Sequence, residues 1–347
     1  MKNEYYKVLA NTENMQREDW LALRGKGIGG SDVGTIVGAN KYKSAFALWA
    51  EKTGKIVNEF KGNEATQWGH DLELIVAQRF AQKTGKSVVA WPVMLQSTRW
   101  EFMRANLDFL IMTDEGDNGE WKAGEVTTYT GKNELPYDRI EAILEIKTSG
   151  IVGRGSLADW QDDGVPKSYE LQGAHYSLVT GIQKVVFGAL VAGEGLVIRN
   201  RFYEEDDLEM IAYAEINFWE CVVNDFAPDP DGSETTHKAI TAMFPVHQPL
   251  KKVEASEEVA KAFFQWQTAK EQADDAERIA SQYRAILELA IGDGEALTHN
   301  GKTLFTYKAT SPKPAFDAKA FQEANPELYE QFLRPRSGYR VLRPAKD

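Results

Sequence analysis

The run Phe102-Met103-Arg104-Ala105-Asn106-Leu107-Asp108-Phe109-Leu110-Ile111 constrains this chain more than any other stretch, because it is apolar enough for a buried strand yet carries a carboxylate. An ionised carboxylate buried without a partner is so costly that it neutralises, pairs or binds a cation. On pattern alone, Asp108 also fits the solvent face of a half-exposed strand. A second run, Ile140-Glu141-Ala142-Ile143-Leu144, reads as a buried strand that ends in Glu145-Ile146-Lys147 and is closed by Thr148-Ser149-Gly150. Side chains alternate along a strand, so Glu145 and Lys147 point to one face.

Around these runs the first 225 residues or so alternate between helix and strand patterns. Helices are expected at Arg17–Arg24, Asp32–Val37, Ala45–Lys52, Gln67–Thr84, Ser168–Thr180 and Asp206–Asn224. Strands are expected at Ser87–Leu95, Glu101–Met112, Ile140–Thr148, Lys184–Val191 and Leu196–Phe202. In Gln67–Thr84, Leu72, Ile75, Val76 and Phe80 form an apolar stripe at helical spacing. Strands in the middle with helices before and after imply an α/β or α+β sheet.

Pro228-Asp229-Pro230-Asp231-Gly232-Ser233 breaks that pattern, and 228–252 reads as a linker after a first domain at 1–227. The region 253–347 is of another kind. Val259, Ala262, Trp266, Ala269, Ala273, Ala276, Ala280, Tyr283, Leu287 and Ala290 follow steps of three and four, an a/d heptad seam. Ser256 caps it, Glu257 and Glu258 fill the first turn, and Gly292-Asp293-Gly294 stops it. Such a helix extends roughly 50 Å at 1.5 Å per residue. A seam so rich in alanine favours close approach of another helix, so this region is expected to mediate association. A short hairpin and a helix near Ala318–Ala324 should follow.

Composition narrows the function classes. A net charge of −12 argues against a nonspecific DNA coater, which would be basic. It leaves room for a site in which carboxylates hold cations that neutralise phosphate locally. The single cysteine, Cys221, lies in an apolar stretch and reads as a buried small hydrophobe. One thiol excludes an internal disulfide, a thiolate zinc site and a cysteine-ligated iron–sulfur cluster, and so the CRISPR-associated adaptation nucleases. With no apolar run long enough for a membrane span and no apolar core of a signal peptide, a cytoplasmic protein with no membrane partner is expected.

Hydrolysis of a phosphodiester requires an activated water and stabilisation of charge on the transferring phosphate, which Mg²⁺ ions held by carboxylates supply. Glu-x-Lys alone says little, since it occurs at Glu59/Lys61, Glu120/Lys122 and Glu145/Lys147, with Asp317/Lys319 as the aspartate version. Only Glu145 ends a buried strand; Glu120 is its rival but runs into the polar Ala123-Gly124-Glu125. Glu73 lies beside the apolar stripe of its helix and is either a metal ligand or an exposed helix carboxylate. Gln172 and Tyr176, four apart, share a helix face. His70 and His175 lack a partner at metal-ligand spacing and read as structural. Gly27-Ile28-Gly29-Gly30-Ser31-Asp32 is a glycine turn opening a helix, which aims N–H groups at an anion or merely caps; Arg24 just before it favours a phosphate pocket.

Five motifs in chain order then carry a resemblance. They are Trp20-Leu21-Ala22-Leu23-Arg24 with Gly29-Gly30-Ser31-Asp32; Trp68-Gly69-His70-Asp71-Leu72-Glu73; Met103-Arg104-Ala105-Asn106-Leu107-Asp108; Leu144-Glu145-Ile146-Lys147-Thr148; and Leu171-Gln172-Gly173-Ala174-His175-Tyr176. From about Trp20 to Phe226 the chain resembles the YqaJ-type viral recombinases, related to phage lambda exonuclease and the PD-(D/E)xK nucleases. The resemblance implies a restriction-endonuclease-like core, a central mixed sheet flanked by helices, to which the long helix and tail are appended. It implies Mg²⁺, with Mn²⁺ as a possible substitute, held by Asp108, Glu145, the Ile146 carbonyl and Glu73. Lys147 would position or deprotonate the attacking water, with Gln172 and Tyr176 beside it. Arg24, Ser31, Asn106 and Gln172 would surround the 5′ phosphate.

The implied activity is degradation of one strand of linear duplex DNA from its 5′ end, leaving 3′ tails for a single-strand annealing protein. The setting would be a phage or prophage protein, homo-oligomeric, in a bacterial cytoplasm. The segment Thr113–Glu141 is much longer than the connection in lambda exonuclease, and the heptad segment is absent there. An endonuclease on the same core, or a DNA-end-binding scaffold, are the rival readings; intact Asp108, Glu145 and Lys147 weigh against the scaffold.

Overall fold

The computed structural model describes residues 3–57, 62–113, 116, 120–130, 135–150, 157–334 and 340–344. Within them a first unit, Met1–Pro245, is built on two sheets, and a second unit comprises Val246–Asp347. Five elements precede the larger sheet: β1 (Tyr6–Asn11), α1 (Arg17–Gly25), β2 (Ile28–Gly29), α2 (Gly30–Ile36) and α3 (Ala45–Lys52). Then come α4 (Glu64–Thr84), β3 (Ser87–Ala90), β4 (Val93–Ser97), β5 (Met103–Ala105), β6 (Phe109–Met112), β7 (Val126–Thr128) and β8 (Ile140–Ser149). The unit is completed by α5 (Lys167–Thr180), β9 (Lys184–Val191), β10 (Gly195–Phe202), α6 (Glu205–Val223) and α7 (Glu234–Met243). The result is a mixed α/β fold with a central mixed sheet flanked by helices.

The larger sheet has six strands in the order β10-β9-β8-β6-β3-β7, and the smaller has four in the order β1-β4-β5-β2. In the larger sheet β8 runs parallel to β9, with α5 as the crossover, and antiparallel to β6. Period-two alternation divides its side chains. Leu144 and Ile146 of β8, Phe109 and Ile111 of β6 and Val186 of β9 meet Val76, Ala77, Phe80 and Ala81 of α4. Ile143, Leu110, Met112, Val185, Phe187 and Ala189 point the other way and pack with Ala174, Tyr176 and Val179 of α5. Glu145 and Lys147 are in phase with Ile143, so they belong to the α5 face.

Two expected strands are each divided. Ser87–Leu95 splits at Trp91-Pro92 into β3 in the larger sheet and β4 in the smaller, and Glu101–Met112 splits at Asn106–Asp108 into β5 and β6. Both breaks occur where the chain passes from one sheet to the other. Asp108 therefore stands at the entry to β6, half-buried, with its backbone off the ladder. Strands β1 and β7 were not expected; both are short edge strands, whose pairing depends on distant partners. The stripe on α4 also needs correction, because Ile75 is exposed while Val76 and Phe80 are buried.

The expected linker 228–252 is not all linker. Ser233 caps α7 by accepting from the Thr236 N–H at 3.2 Å, Thr236 donates to the buried Ser44 hydroxyl at 2.8 Å, and Ala239 joins the core of α2, α3 and α6. The first unit thus runs to Pro245. In that core the Trp49 indole donates to the Cys221 carbonyl at 3.1 Å, and the Cys221 thiol is buried.

In the second unit, α8 (Glu257–Ile291) is a single helix of 35 residues, capped by Ser256, which accepts from the Val259 N–H. A hairpin, β11 (Ala296–His299) with β12 (Lys302–Thr306), and α9 (Ala318–Ala324) and α10 (Pro326–Phe332) follow it. Among the described residues no helix is long and apolar enough to cross a membrane.

Candidate active site

Three elements converge at the C-terminal half of β8. The backbone N–H of Ile146 donates to Asp108 Oδ2 at 2.9 Å, which fixes the carboxylate at the sheet-crossing bend against β8. The Lys147 ammonium donates to Glu145 Oε1 at 2.6 Å, and so does the Gln172 amide, also at 2.6 Å. Gln172 Oε1 accepts from Lys147 at 3.2 Å, and Gln172 Nε2 donates to the Tyr176 hydroxyl at 2.8 Å. Both ends of the Gln172 amide are therefore spent on orienting Glu145 and Lys147. Tyr169, one turn earlier on α5, places its ring 4.7 Å from the Lys147 ammonium, within cation–π range. The sequence reading passed over Tyr169, although its spacing of three from Gln172 puts it on the same helix face.

The acidic groups of this cluster perturb one another's ionisation. Burial and the neighbouring Asp108 charge push the Glu73 carboxyl up to about 7, against a lowering by Lys147. Glu145 is raised by burial and by Asp108, and Asp108 is raised by burial despite Lys147 and the Ile146 N–H. Burial works against the Lys147 charge, but Glu145 and Asp108 outweigh it and hold its pKa above the ordinary lysine value. Glu145 is fully buried, and its Oε2 has no hydrogen-bond partner among the described residues. An unsatisfied carboxylate oxygen among other carboxyls, with one lysine beside it, suits a hard divalent cation. Glu73, Asp108 and Glu145 perturb one another but do not close to metal-ligand spacing as a three-residue set; no such group occurs among the described residues. The donors that fit are Asp108, Glu145 and the Ile146 carbonyl, with Glu73 on the adjacent helix.

The glycine turn lies against the same cluster. Gly27 has no room for a side chain, because a Cβ would stand 2.3 Å from the Phe102 carbonyl oxygen. This close approach lets β2 pair in parallel with β5 before α2 begins. At Gly30 a Cβ would lie 2.8 Å from the Tyr176 ring and 2.9 Å from Gln172 Cγ. Glycine here seats α2 on the face of α5 that carries the site. Arg24 donates to the Ser31 hydroxyl and lies 3.6 Å from Asp32, and both Arg24 and Ser31 reach the surface.

Asp32 is a buried neighbour of the cluster to which the sequence reading gave no role of its own. It is buried, pairs with Lys52 at 2.9 Å and accepts from the Gly29 N–H at 3.0 Å. Burial alone would raise its pKa, but Lys52 and Arg24 overcome that and bring it down to about 2. One N–H of the turn is thus already used as a cap. Asn106 donates to the Val93 carbonyl at 3.1 Å and is occupied in holding β4.

The remaining candidates separate cleanly. Glu120 and Lys122 are exposed on either side of the buried Trp121. Asp317 caps α9, accepting from the Ala320 N–H at 2.9 Å, and Glu59 and Lys61 lie outside the described residues. His175 is structural: its Nδ1 meets Glu215 at 2.9 Å and its Nε2 the Arg104 carbonyl at 2.9 Å, all within the interior. His70 is not buried structure; it is exposed on α4, and its charge bears on Asp108.

Over 338 residues, 95% of each chain, the protein is 29% identical to the uncharacterized protein YqaJ of Bacillus subtilis (strain 168). Among solved structures it is similar to the alkaline exonuclease LHK-Exo of Laribacter hongkongensis, with 17% identity, a TM-score of 0.45, and coverage of 60% of this chain and 93% of that one. LHK-Exo in complex with dAMP gives 15% identity and a TM-score of 0.44 over the same shares. Residues 19–183 match the model of the YqaJ-like viral recombinase domain, a span that contains every site residue described above from Arg24 to Tyr176.

Proposed function

We propose that this protein is a Mg²⁺-dependent deoxyribonuclease that degrades one strand of linear duplex DNA from the 5′ end, with Mn²⁺ able to substitute. The observation that carries the reading is Glu145 Oε2, buried without a donor beside Asp108 and Lys147. A buried carboxylate oxygen left without a donor beside an oriented ammonium is costly unless a cation satisfies it. When bound, the cation would lower the pKa of a water and neutralise charge on the phosphate.

The chain's own groups divide the rest of the work. Asp108, Glu145 and the Ile146 carbonyl hold the cation, and Glu73 supplies a further carboxylate. The Lys147 ammonium, oriented by Glu145 and Gln172, positions the attacking water. Gln172 and Tyr176 keep Lys147 and Glu145 in register. Arg24 and Ser31, across Gly30 from Tyr176, receive the terminal 5′ phosphate. The 3′ tails produced would go to a single-strand annealing protein in recombination.

The reading is tested with end-labelled linear duplex in Mg²⁺ or chelator, comparing 5′-phosphoryl with 5′-hydroxyl ends and with a closed circle. Loss of one strand from 5′-phosphoryl ends, dependent on Mg²⁺, is expected. Equal cutting of the closed circle would replace the exonuclease by an endonuclease.

A further inference from the structure

The second unit presents an apolar seam that nothing in the proposed chemistry uses. Along α8, Val259 is 59% exposed, Tyr283 64% and Leu287 40%, and the seam alanines between Ala262 and Ala290 are exposed as well. Large side chains at heptad spacing on a continuous helix of this length are stabilised by a partner helix.

The order of residues in the seam says which helix. It reads nearly the same from either end: Val259 and Ala262 precede Trp266, four alanines follow, and Tyr283 precedes Leu287 and Ala290. In an antiparallel pair centred between Ala273 and Ala276, Trp266 layers on the partner's Tyr283. Leu287 then meets the partner's Ala262, and Val259 meets the partner's Ala290. Each large aliphatic is opposed by a small residue, and the central alanines let the axes come close. The same register sets Lys270 opposite the partner's Glu277 twice by symmetry, and Phe263 beside the partner's Arg284. A parallel pair instead puts Gln265 against Lys270 and Gln272 against Glu277, with no opposite charges matched, and doubles Leu on Leu and Val on Val. Antiparallel helix dipoles also attract, each N-terminus lying beside the partner's C-terminus.

We propose that α8 binds α8 of a second copy of this chain as an antiparallel coiled coil, so that the seam is a homodimer interface. The full-length protein, free of DNA, should sediment at twice the chain mass. The double variant Ala273→Glu/Ala276→Glu places like charges across the centre and should sediment as a monomer, with helical circular dichroism and Mg²⁺-dependent cleavage unchanged. Direction is read by mixing Ala269→Cys with Ala280→Cys under mild oxidation; Cys221, being buried, does not compete. A disulfide between the two variants, and none within either alone, is expected. A monomeric wild type, a dimer that survives the double glutamate variant, or cross-linking of each variant with itself would each overturn the proposal.

Discussion

At the scale of single residues, the site stands or falls on Lys147. It makes hydrogen bonds to both Glu145 and Gln172, and its burial is tolerable only because of those partners. Lys147→Ala, Asp108→Asn and Glu145→Gln should each reduce cleavage by on the order of 10²-fold or more, since the groups act as a unit. Glu120→Ala should be nearly silent, and the reverse pattern in a gel-based nuclease assay would move the site from Glu145 to Glu120. Asp32 gives a prediction that needs no assay of activity. Its folded pKa, about 2, lies below the ordinary carboxylate value, so the stability it contributes is complete above about pH 4 and lost as the pH falls toward 2. That contribution is about 2 kcal/mol, and urea titrations of Asp32→Asn should find it missing at pH 6 and the difference shrinking at pH 2.

Between elements, the close seating of α2 on α5 depends on Gly30. Gly30→Ala drives a methyl into Tyr176 and Gln172, and overpacking of this kind costs about 1–3 kcal/mol. Because Gln172 orients Glu145 and Lys147, turnover should fall more than stability alone explains, which parallel melting and rate measurements would reveal. The joint between α5, α6 and β5 is the His175–Glu215 pair. Burial opposes the imidazolium, but Glu215 and the Arg104 carbonyl outweigh it and raise the His175 pKa. A raised folded pKa means that this stability is complete below the unfolded value near 6.5 and is lost as the pH rises through the folded value. Glu215→Ala leaves the buried histidine without its counter-charge and should destabilise the protein by about 3–5 kcal/mol at pH 6. A smaller loss at pH 9 completes the expected pattern.

For the whole molecule, the boundary at Pro245 matters more than the proline-rich break at Pro228. A chain ending at Ser233 loses α7, whose Thr236 and Ala239 are buried in the first unit, and should melt earlier than the full protein. A chain ending at Pro245 keeps the two sheets and the active site and should retain Mg²⁺-dependent cleavage while sedimenting as a monomer. Retention of cleavage by the Ser233 end-point with an unchanged melting temperature would show that α7 is dispensable. The net charge of −12 falls within the first unit, while Val246–Asp347 carries equal numbers of acidic and basic side chains.

The sequence by itself determined what repeats locally. Ala45–Lys52 and Lys184–Val191 form where their patterns end, and Ser256 and Gly292 bound the long helix, because caps and periodicity act within a few residues. The Glu145/Lys147 face was legible for the same reason, alternation along one strand. What only the tertiary structure decided involves residues far apart in the chain. The division of Ser87–Leu95 and Glu101–Met112 between two sheets follows from which distant strands β4 and β5 pair with, and no local pattern encodes that. The burial of Asp32 depends on Lys52, twenty residues on, and the exposure of His70 on the end of α4 that faces Asp108. Polar side chains carry no periodic signature of burial; their partners, brought together by the fold, decide whether each is a ligand, a cap or a surface group.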